Sequence, residues 1–156
     1  MSRAADRFAE AARTLGLELE PRRFPEGTKT AADAARAVGC SVDQIVKSLI
    51  FMADDVAVLA LTAGSNRVDE MKLASAAGVG SARRATPEEA RAATGFAVGG
   101  TPPFGHVTWV RAFCDEDLLA HDEVWAAAGT PDSVFPLEPA VLVRVSGATV
   151  IDLAVR

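Results

Sequence analysis

Hydrophobic residues are spaced in two different ways along the chain, and the spacing separates helices from strands. Between residues 8 and 15 they recur three and four positions apart, which predicts an amphipathic helix over 2–16. Residues 46–52 and 56–61 are mostly apolar runs of strand length, separated by the short segment 53–55. This arrangement predicts two strands joined as a hairpin.

Three further helices are predicted by the residues at their ends. Thr30 stands where a cap accepts a backbone N–H, directly before the alanine-rich stretch 31–38. Acidic residues occupy the first turn of 68–77, where they favour the helix dipole. Thr86 and the proline after it begin the third helix, which is expected to end before Gly95.

The rest of the pattern predicts short strands. Residues 139–145 begin with a proline that favours a helix, but their valine content favours a strand, so both alternatives stay open. Because hairpins alternate with single helices, the element order indicates a mixed or antiparallel α+β domain and not a doubly wound parallel sheet. Further strands are expected at 17–24, 107–112, 124–125, 134–135 and 150–153.

Length and composition fit one domain spanning residues 1–156. The longest apolar runs are far shorter than the about 20 residues of a membrane span, and the first residues lack the apolar core of a secretory leader. We therefore expect a cytoplasmic protein without a membrane partner. Cys40 and Cys114 lack metal-ligand spacing and are expected to be reduced thiols, with a disulfide as the weaker alternative.

The distribution of charge bears on a nucleic-acid partner. The net charge is −5, which argues against a broad RNA-binding surface. Basic and acidic residues balance over 1–91, whereas 92–156 carry the whole negative excess. The first part can therefore present a local basic face that makes modest contact with phosphates. Arg22–Arg23 and Arg83–Arg84 are candidates for this contact, although solvated charges are the commoner outcome.

The segment 99–106, Gly-Gly-Thr-Pro-Pro-Phe-Gly-His, has the most unusual composition in the chain. Paired glycines let a ligand approach the backbone and expose its N–H groups, while the prolines stiffen the loop. Such a loop suits a carbonyl, a carboxylate or a developing oxyanion. A tight turn between a helix and a strand explains the same composition, and the residues alone favour that alternative.

Two further residues have both a functional and a structural interpretation. Lys47 is a cation within an apolar strand. It either points into a pocket, towards a phosphate or an ester carbonyl, or lies on the exposed face of the strand, which is commoner. His106 is either a general base or substrate contact, or a polar residue at the start of a strand.

The other polar and aromatic residues fit structural roles. The chain has no GxSxG, HExxH, P-loop or GxGxxG motif, so serine-hydrolase, zinc and dinucleotide sites lack their usual patterns. We expect no metal and no cofactor. His121 and the acidic run 115–117 are expected to face solvent, and the aromatic residues Trp109, Trp125 and Phe135 to lie in the core.

The chain resembles a known family, the YbaK-type proteins, which are related to the editing insertion domain of bacterial prolyl-tRNA synthetase. The resemblance covers nearly the whole chain and depends on the order and spacing of several segments. These are Thr30–Gly39, Gln44–Phe51, Thr62–Lys72, Ala85–Glu89, Gly95–His106 and the late turn at Gly129.

The resemblance implies a fold and a set of site residues. The fold would be a mixed α/β domain around a curved, largely antiparallel sheet with flanking helices. Lys47 would be the essential, catalytic lysine, and Thr30 and Ser48 would lie at the rim of the pocket. The remaining substrate-binding residues would come from the glycine loop and the late turn: Gly99, Gly100, Thr101, Pro102, Gly105, His106 and Gly129.

The resemblance also implies an activity, a trans-acting aminoacyl-tRNA deacylase that hydrolyses the ester at the 3′ end of mischarged tRNA, chiefly tRNA for proline. Prolyl-tRNA synthetase is a further implied partner. Cysteine-specific members carry a serine before the late glycine, whereas this chain has Ala126–Ala128, which favours a small substrate side chain such as that of alanine or serine. A non-catalytic module that binds charged tRNA or a small aminoacyl-like ligand is the alternative function. An interaction domain in which the glycine loop is only a turn is a third, and the oligomeric state stays open.

Overall fold

The computed structural model describes residues 3–28 and 30–156. Its helices are α1 (Arg3–Thr14), α2 (Ala31–Val38), α3 (Glu70–Ala77), α4 (Pro87–Thr94) and α5 (Pro139–Ser146). Its strands are β1 (Arg22–Arg23), β2 (Val46–Ala53), β3 (Val56–Ala63), β4 (Ala82–Arg84), β5 (Arg111–Asp115), β6 (Val124–Ala127), β7 (Ser133–Leu137) and β8 (Thr149–Ile151). Short 3₁₀ turns occupy Val42–Gln44 and Glu116–Ala120.

The strands form two sheets. The larger has the order β4-β2-β3-β5-β8, in which β3–β5 and β5–β8 are parallel and the other pairs antiparallel. The smaller is antiparallel, with the order β1-β7-β6. A single bridge between Ile45 and Trp125 connects them beside the start of β2. The predicted α+β class is therefore confirmed, with its mostly antiparallel strands divided between two open sheets.

Strand β3 lies at the centre of the larger sheet and is covered on both faces. Leu59 and Leu61 face the larger apolar cluster, whereas Val58 and Ala60 face a second cluster that includes Leu73 of α3. A strand buried on both sides has no polar face, which explains why 56–61 reads as a continuous apolar run and not as an alternating one.

Three phenylalanine rings attach α1 to the rest of the larger cluster. The Phe8 ring lies 5.2 Å from the Phe104 ring and 5.0 Å from the Phe135 ring, measured between centroids. The Phe104 and Phe135 rings are 6.0 Å apart, nearly edge to face. Since Phe104 belongs to the glycine-rich segment and Phe135 to β7, this packing joins α1, the loop and the smaller sheet.

The predicted helix starts are confirmed where capping residues identified them. The Thr30 hydroxyl accepts the Asp33 N–H at 3.0 Å before α2. Thr86 and Glu89 form a capping box before α4. The predicted first helix corresponds to α1, and its residue 2 lies outside the described residues. Residues 139–145, which fitted both a helix and a strand, belong to α5.

The strand predicted at 107–112 is wrong in its first part. The strand is β5, and the preceding residues are irregular because they are attached to the end of α4. The Val107 N–H donates to the Thr94 carbonyl at 3.0 Å, and the Thr108 hydroxyl to the Ala93 carbonyl at 2.7 Å. Trp109 in this segment is 86% exposed, so its predicted place in the core is also wrong.

Other boundaries differ for local reasons. Only two residues of the predicted strand 17–24 pair with β7. The predicted helix 68–77 begins two residues later, because Asp69 accepts the N–H groups of Met71 and Lys72 as its cap. The predicted strand 150–153 is β8, which ends at Ile151. Strand β4, short and rich in arginine, was not predicted as a strand.

The acidic run 115–117 is only in part the solvated turn that was predicted: Glu116 is exposed and Asp117 partly so, but Asp115 is not. Asp115 is fully buried at the end of β5, where its carboxylate accepts the N–H groups of Ala63 and Asp117 at 3.2 and 3.0 Å. His121, predicted to face solvent, is partly buried. Trp125 and Phe135 lie in the core as predicted.

Phe8→Ala is expected to lower the free energy of unfolding by about 3–5 kcal/mol, because it leaves a cavity between Phe104 and Phe135. Trp109→Ala removes a larger but exposed ring and is expected to cost less than about 0.5 kcal/mol. Urea unfolding monitored by far-UV circular dichroism measures both values. A loss at Trp109 that equals the loss at Phe8 would contradict the exposed position of segment 107–109.

Candidate functional site

A cleft of about 510 Å³ lies where the start of β2 meets α2, the smaller sheet and the glycine loop. Ile45, Trp125 and Val134 form its apolar floor, since all three are buried. Its polar lining residues are Thr28, Thr30, Lys47, Ser48, Arg84 and Thr101. The cleft therefore combines a small apolar floor with hydroxyl groups and two cations, a composition that suits a small polar ligand with a negative group.

Lys47 lies on β2 at the point where the strand enters the cleft. Its ammonium donates to the Asn66 carbonyl at 2.5 Å, and the side chain is partly buried. Burial lowers the pKa of Lys47 and the nearby Arg84 lowers it further, whereas the charge of Asp115 raises it. Between the two sequence-based alternatives for Lys47, the position of the side chain in a cleft supports the functional one.

The first part of the glycine loop borders the same cleft. Gly99 is exposed, has a φ of +87° and lines the cleft together with Thr101. The Gly100 N–H donates to the Ala97 carbonyl at 3.0 Å, so it holds the turn of the loop and does not point to a ligand. A Cβ at Gly100 would stand 2.9 Å from the carbonyl carbon of Thr130. The absence of a side chain thus lets the loop pack directly on the backbone at 130–131.

The second part of the loop lies elsewhere. Gly105 and His106 line a separate cavity beside α1, and the His106 ring bonds to the Pro102 carbonyl at 2.8 Å. Burial lowers the pKa of His106, an effect that its bond to Pro102 partly opposes. Gly129 packs against α1, where a Cβ would stand 2.9 Å from the Ala4 carbonyl oxygen. The structure thus brings Thr30, Lys47, Ser48, Gly99 and Thr101 together. The other predicted residues are not among the cleft residues: Gly100, Pro102, Gly105, His106 and Gly129.

Arg84 is a cleft residue that the sequence analysis considered only for RNA backbone contact. Its neighbour Arg83 forms two bonds of 2.8 Å with Glu89, whereas Arg84 forms no ion pair within residues 3–28 and 30–156. The Arg84 guanidinium lies 5.9 Å from the centre of the Phe51 ring, across the β2–β4 pair. The sequence did not reveal this position, because it is the pairing of β4 with β2 that turns Arg84 towards the cleft.

Two residues outside the predicted set complete the wall of the cleft. The Thr28 hydroxyl donates to the Pro131 carbonyl at 2.7 Å, which fixes the turn beside Gly100. Ala127 is the one member of the predicted specificity segment 126–128 that lines the cleft. Its small side chain leaves room there, and the neighbouring alanines are buried in the core.

Two hydroxyl groups near Lys47 are buried without a hydrogen-bond partner in the described part of the chain. They are Ser48 Oγ, which borders the cleft, and Thr62 Oγ1, which belongs to the residue paired with Lys47 on β3. A buried hydroxyl without a partner is costly, and of the two only Ser48 lies where a ligand in the cleft can reach it. The described lining includes no carboxylate, histidine or thiol, so the cleft offers cations and hydroxyls but no usual general base.

Two findings concern the described chain as a whole. Residues 3–28 and 30–156 contain no group of three histidine, cysteine or acidic side chains placed to hold a metal ion. Within the same residues, no helix has both the length and the apolar composition needed to cross a bilayer.

Comparisons with known proteins identify the family. The sequence profile described as an aminoacyl-tRNA editing domain matches residues 25–145. The proline–tRNA ligase of Nitratidesulfovibrio vulgaris (strain DP4) is 38% identical over 92 residues, which are 59% of this chain and 16% of the ligase. The chain thus spans less than a fifth of that relative. The uncharacterized protein YwhH of Bacillus subtilis (strain 168) is 31% identical over 123 residues, 78% of each chain.

A solved structure is similar over the full length. It is described as a candidate trans-editing enzyme for prolyl-tRNA synthetase, has 45% sequence identity and superposes with a TM-score of 0.92. The alignment covers 100% of this chain and 99% of the other. These matches confirm the resemblance that the sequence motifs indicated, and the chain belongs to the aminoacyl-tRNA editing domain family related to prolyl-tRNA synthetase.

Proposed function

We propose that this chain is a trans-acting deacylase that hydrolyses the ester of mischarged tRNA. The observation that carries the proposal is the cleft at the start of β2, where Lys47 and Arg84 stand beside hydroxyl groups and a small apolar floor. The 3′ end of an aminoacyl-tRNA offers matching groups: phosphates for the cations, an ester carbonyl and a small amino-acid side chain. We further propose one domain over residues 1–156 that works without metal or cofactor.

The proposed reaction needs little chemical equipment. An aminoacyl ester is already activated, and its α-ammonium makes the carbonyl more electrophilic. Water attacks the carbonyl carbon, the bond to the ribose oxygen breaks, and the proton lost by the water is balanced by the one the ribose oxygen gains. Lys47 stabilises the negative charge of the carbonyl oxygen or holds the terminal phosphate, and the hydroxyl of Ser48 orients water or substrate.

The glycine loop has a positioning role in this proposal. Gly99 and Thr101 border the substrate, while Gly100 and Pro102 keep the loop against 130–131 and the core. Thr30 combines capping of α2 with a place at the rim. Gly105, His106 and Gly129, which the resemblance predicted to bind substrate, would act indirectly, through the packing of α1 against the loop and the late turn.

The small side chain of Ala127 in the wall of the cleft supports a substrate with a small side chain. Ala127 and the buried Trp125 leave space for alanine or serine and offer no serine hydroxyl at the position that marks cysteine editors. Synthetase pockets discriminate by only about 1–3 kcal/mol per methylene, so a separate hydrolase that accepts the smaller amino acid corrects their errors. Mischarged tRNA for proline is the proposed substrate, and prolyl-tRNA synthetase a proposed partner.

Lys47→Ala is expected to reduce the rate of deacylation by about a hundredfold or more, because the cleft loses one of its two cations. Lys72→Ala is the matched control, since Lys72 pairs with Asp152 on the surface and does not line the cleft. Release of labelled amino acid from Ala-, Ser- and Cys-charged tRNA for proline measures the rate. Wild-type activity in Lys47→Ala would exclude the assigned role. Binding of charged tRNA by the wild type without release from any substrate would favour a non-catalytic module.

Gly100→Ala is expected to displace the loop and to slow deacylation by about ten- to a hundredfold, since the new Cβ stands 2.9 Å from the Thr130 backbone. It should also lower the free energy of unfolding by about 1–3 kcal/mol. Gly80→Ala is the control, because a Cβ there meets no atom within 4 Å and its φ is not left-handed. Single-turnover rates and urea unfolding test both variants. An active, fully stable Gly100→Ala protein would show that the close approach is unimportant.

A further inference from the structure

A buried carboxylate lies behind Lys47 and has no role in the reaction proposed above. Asp115 ends β5 with none of its surface exposed, and it forms no ion pair in the part of the chain that the structure describes. Its partners are neutral: the N–H groups of Ala63 and Asp117 and the side-chain amide of Asn66. A buried charge is costly, and three hydrogen bonds lower that cost without neutralising it. Lys47 is the cation close enough to interact with this charge.

Asn66 connects the carboxylate to the lysine. Its Nδ2 donates to Asp115 Oδ2 at 2.8 Å and to Asp117 Oδ2 at 2.7 Å, while its backbone carbonyl accepts from Lys47. Because both acceptors are carboxylates, the amide nitrogen and not the oxygen must face them, which fixes the side chain in one orientation. With the side chain held at two points, the carbonyl on the same residue stays aimed at the Lys47 ammonium.

The outer part of this network lies at the surface. Asp117 accepts from Arg156 at 2.8 and 3.2 Å, Arg156 also bonds to Asp152, and Asp152 pairs with Lys72. These groups are exposed or partly exposed and are screened by solvent, so their individual contributions are small. The inner part consists of Asn66 and Asp115. Removing either of these side chains leaves a buried polar group of the other without its partner, which is costly.

We propose that Asn66 and Asp115 are the positioning residues for Lys47: the buried carboxylate anchors the Asn66 amide, and the Asn66 carbonyl holds the lysine ammonium at the cleft. The role assigned to the ammonium rests on the proposed deacylase function, but its placement by Asn66 and Asp115 does not. Neither residue touches the substrate in this proposal, because Asp115 is buried behind the strand and neither lines the cleft.

The charges around Lys47 predict how its protonation depends on this network. Arg84 on β4 lowers the pKa of Lys47, and Asp115 at the end of β5 raises it. Asp117 lies one hydrogen bond further away through Asn66, and Asp43, on the 3₁₀ turn before β2, bonds to Ser65 beside Asn66. Since Asp115 favours the cation, loss of its charge should lower the Lys47 pKa further, so that the ammonium loses its proton at a lower pH.

The pKa of Lys47 can be measured directly in the full chain. The sequence contains three lysines, so ¹³Cε-labelled lysine gives three NMR signals, assigned with Lys47→Arg and Lys72→Arg. Asp115→Asn is expected to lower the Lys47 midpoint by about half a unit or more. Thr94→Val is the matched control: it disrupts another fully buried network, at Ala90 and Phe96, and should leave the midpoint unchanged. A folded Asp115→Asn protein with the wild-type midpoint overturns the proposal.

Asn66→Ala provides a second measurement that does not depend on the folding of Asp115→Asn. Alanine keeps the backbone carbonyl but removes both bonds to the carboxylates, so the carbonyl is no longer held in place. The Lys47 midpoint is expected to fall here as well, because the cation loses a fixed acceptor. A wild-type titration in Asn66→Ala would likewise contradict the proposal.

The activity measurement separates this proposal from the proposed function. If the chain is a deacylase, Asn66→Ala should lower kcat about tenfold with little change in KM, and Asp115→Asn should move the loss of activity at high pH to a lower pH. Thr94→Val should change neither. If the wild type releases no amino acid, the deacylase function fails, while the NMR midpoints still decide whether Asn66 and Asp115 position Lys47.

Discussion

The cation of Lys47 near the start of the apolar strand β2 is the constraint around which the site is organised. An ammonium group that is partly removed from water needs an acceptor, and Lys47 finds it outside strand β2. The acceptor comes from the Asn66 carbonyl, beyond the end of β3, and the opposing charge comes from Asp115 on the next strand. The groups therefore follow the order of strands in the larger sheet: Lys47 lies on β2, Asn66 after the end of β3, and Asp115 on β5.

The cleft in front of Lys47 depends on how the two sheets meet. They are joined at the Ile45–Trp125 bridge, which leaves a gap at the start of β2 instead of a closed barrel. The glycine loop covers one side of this gap because Gly100 lies directly on the backbone of Thr130. The ring of Phe104 in turn holds the far end of the loop between α1 and β7. The loop therefore serves less as a set of N–H donors than as a rigid wall.

Local chemistry in the sequence was sufficient for most elements but not for the relations between distant ones. Thr30 and Thr86 identified their helices, because capping is decided within three or four residues. The partnership of Asn66 with Asp115 spans 49 residues and depends on the parallel pairing of β3 with β5, which no local pattern reveals. Trp109 was misplaced for a related reason, since large aromatic residues are usually buried and only the attachment of its segment to α4 exposes it.

The candidate site was predicted in part because two kinds of information were combined. Composition alone favoured a surface lysine and a simple turn, and the resemblance to a family brought Lys47, Ser48 and Gly99 together, as the cleft now does. The resemblance did not distinguish residues that border the cleft from those that support it. Gly129 illustrates this difference: with a φ of +99° and a Cβ position 2.9 Å from Ala4, it needs to be glycine for packing on α1.

The chemistry of the cleft and the chemistry of its proposed substrate fit each other for one physical reason. An ester that is already activated requires a placed water and a stabilised carbonyl oxygen more than it requires a strong base. The hydroxyls and cations of the described lining can supply electrostatic stabilisation. The same lining contains no carboxylate, histidine or thiol. Such a site would act slowly on an amide, whose leaving group needs a proton donor, and rapidly on an ester. For the proposed deacylase, the higher intrinsic reactivity of esters would give selectivity over amides, and the room that Ala127 leaves would give selectivity among amino acids.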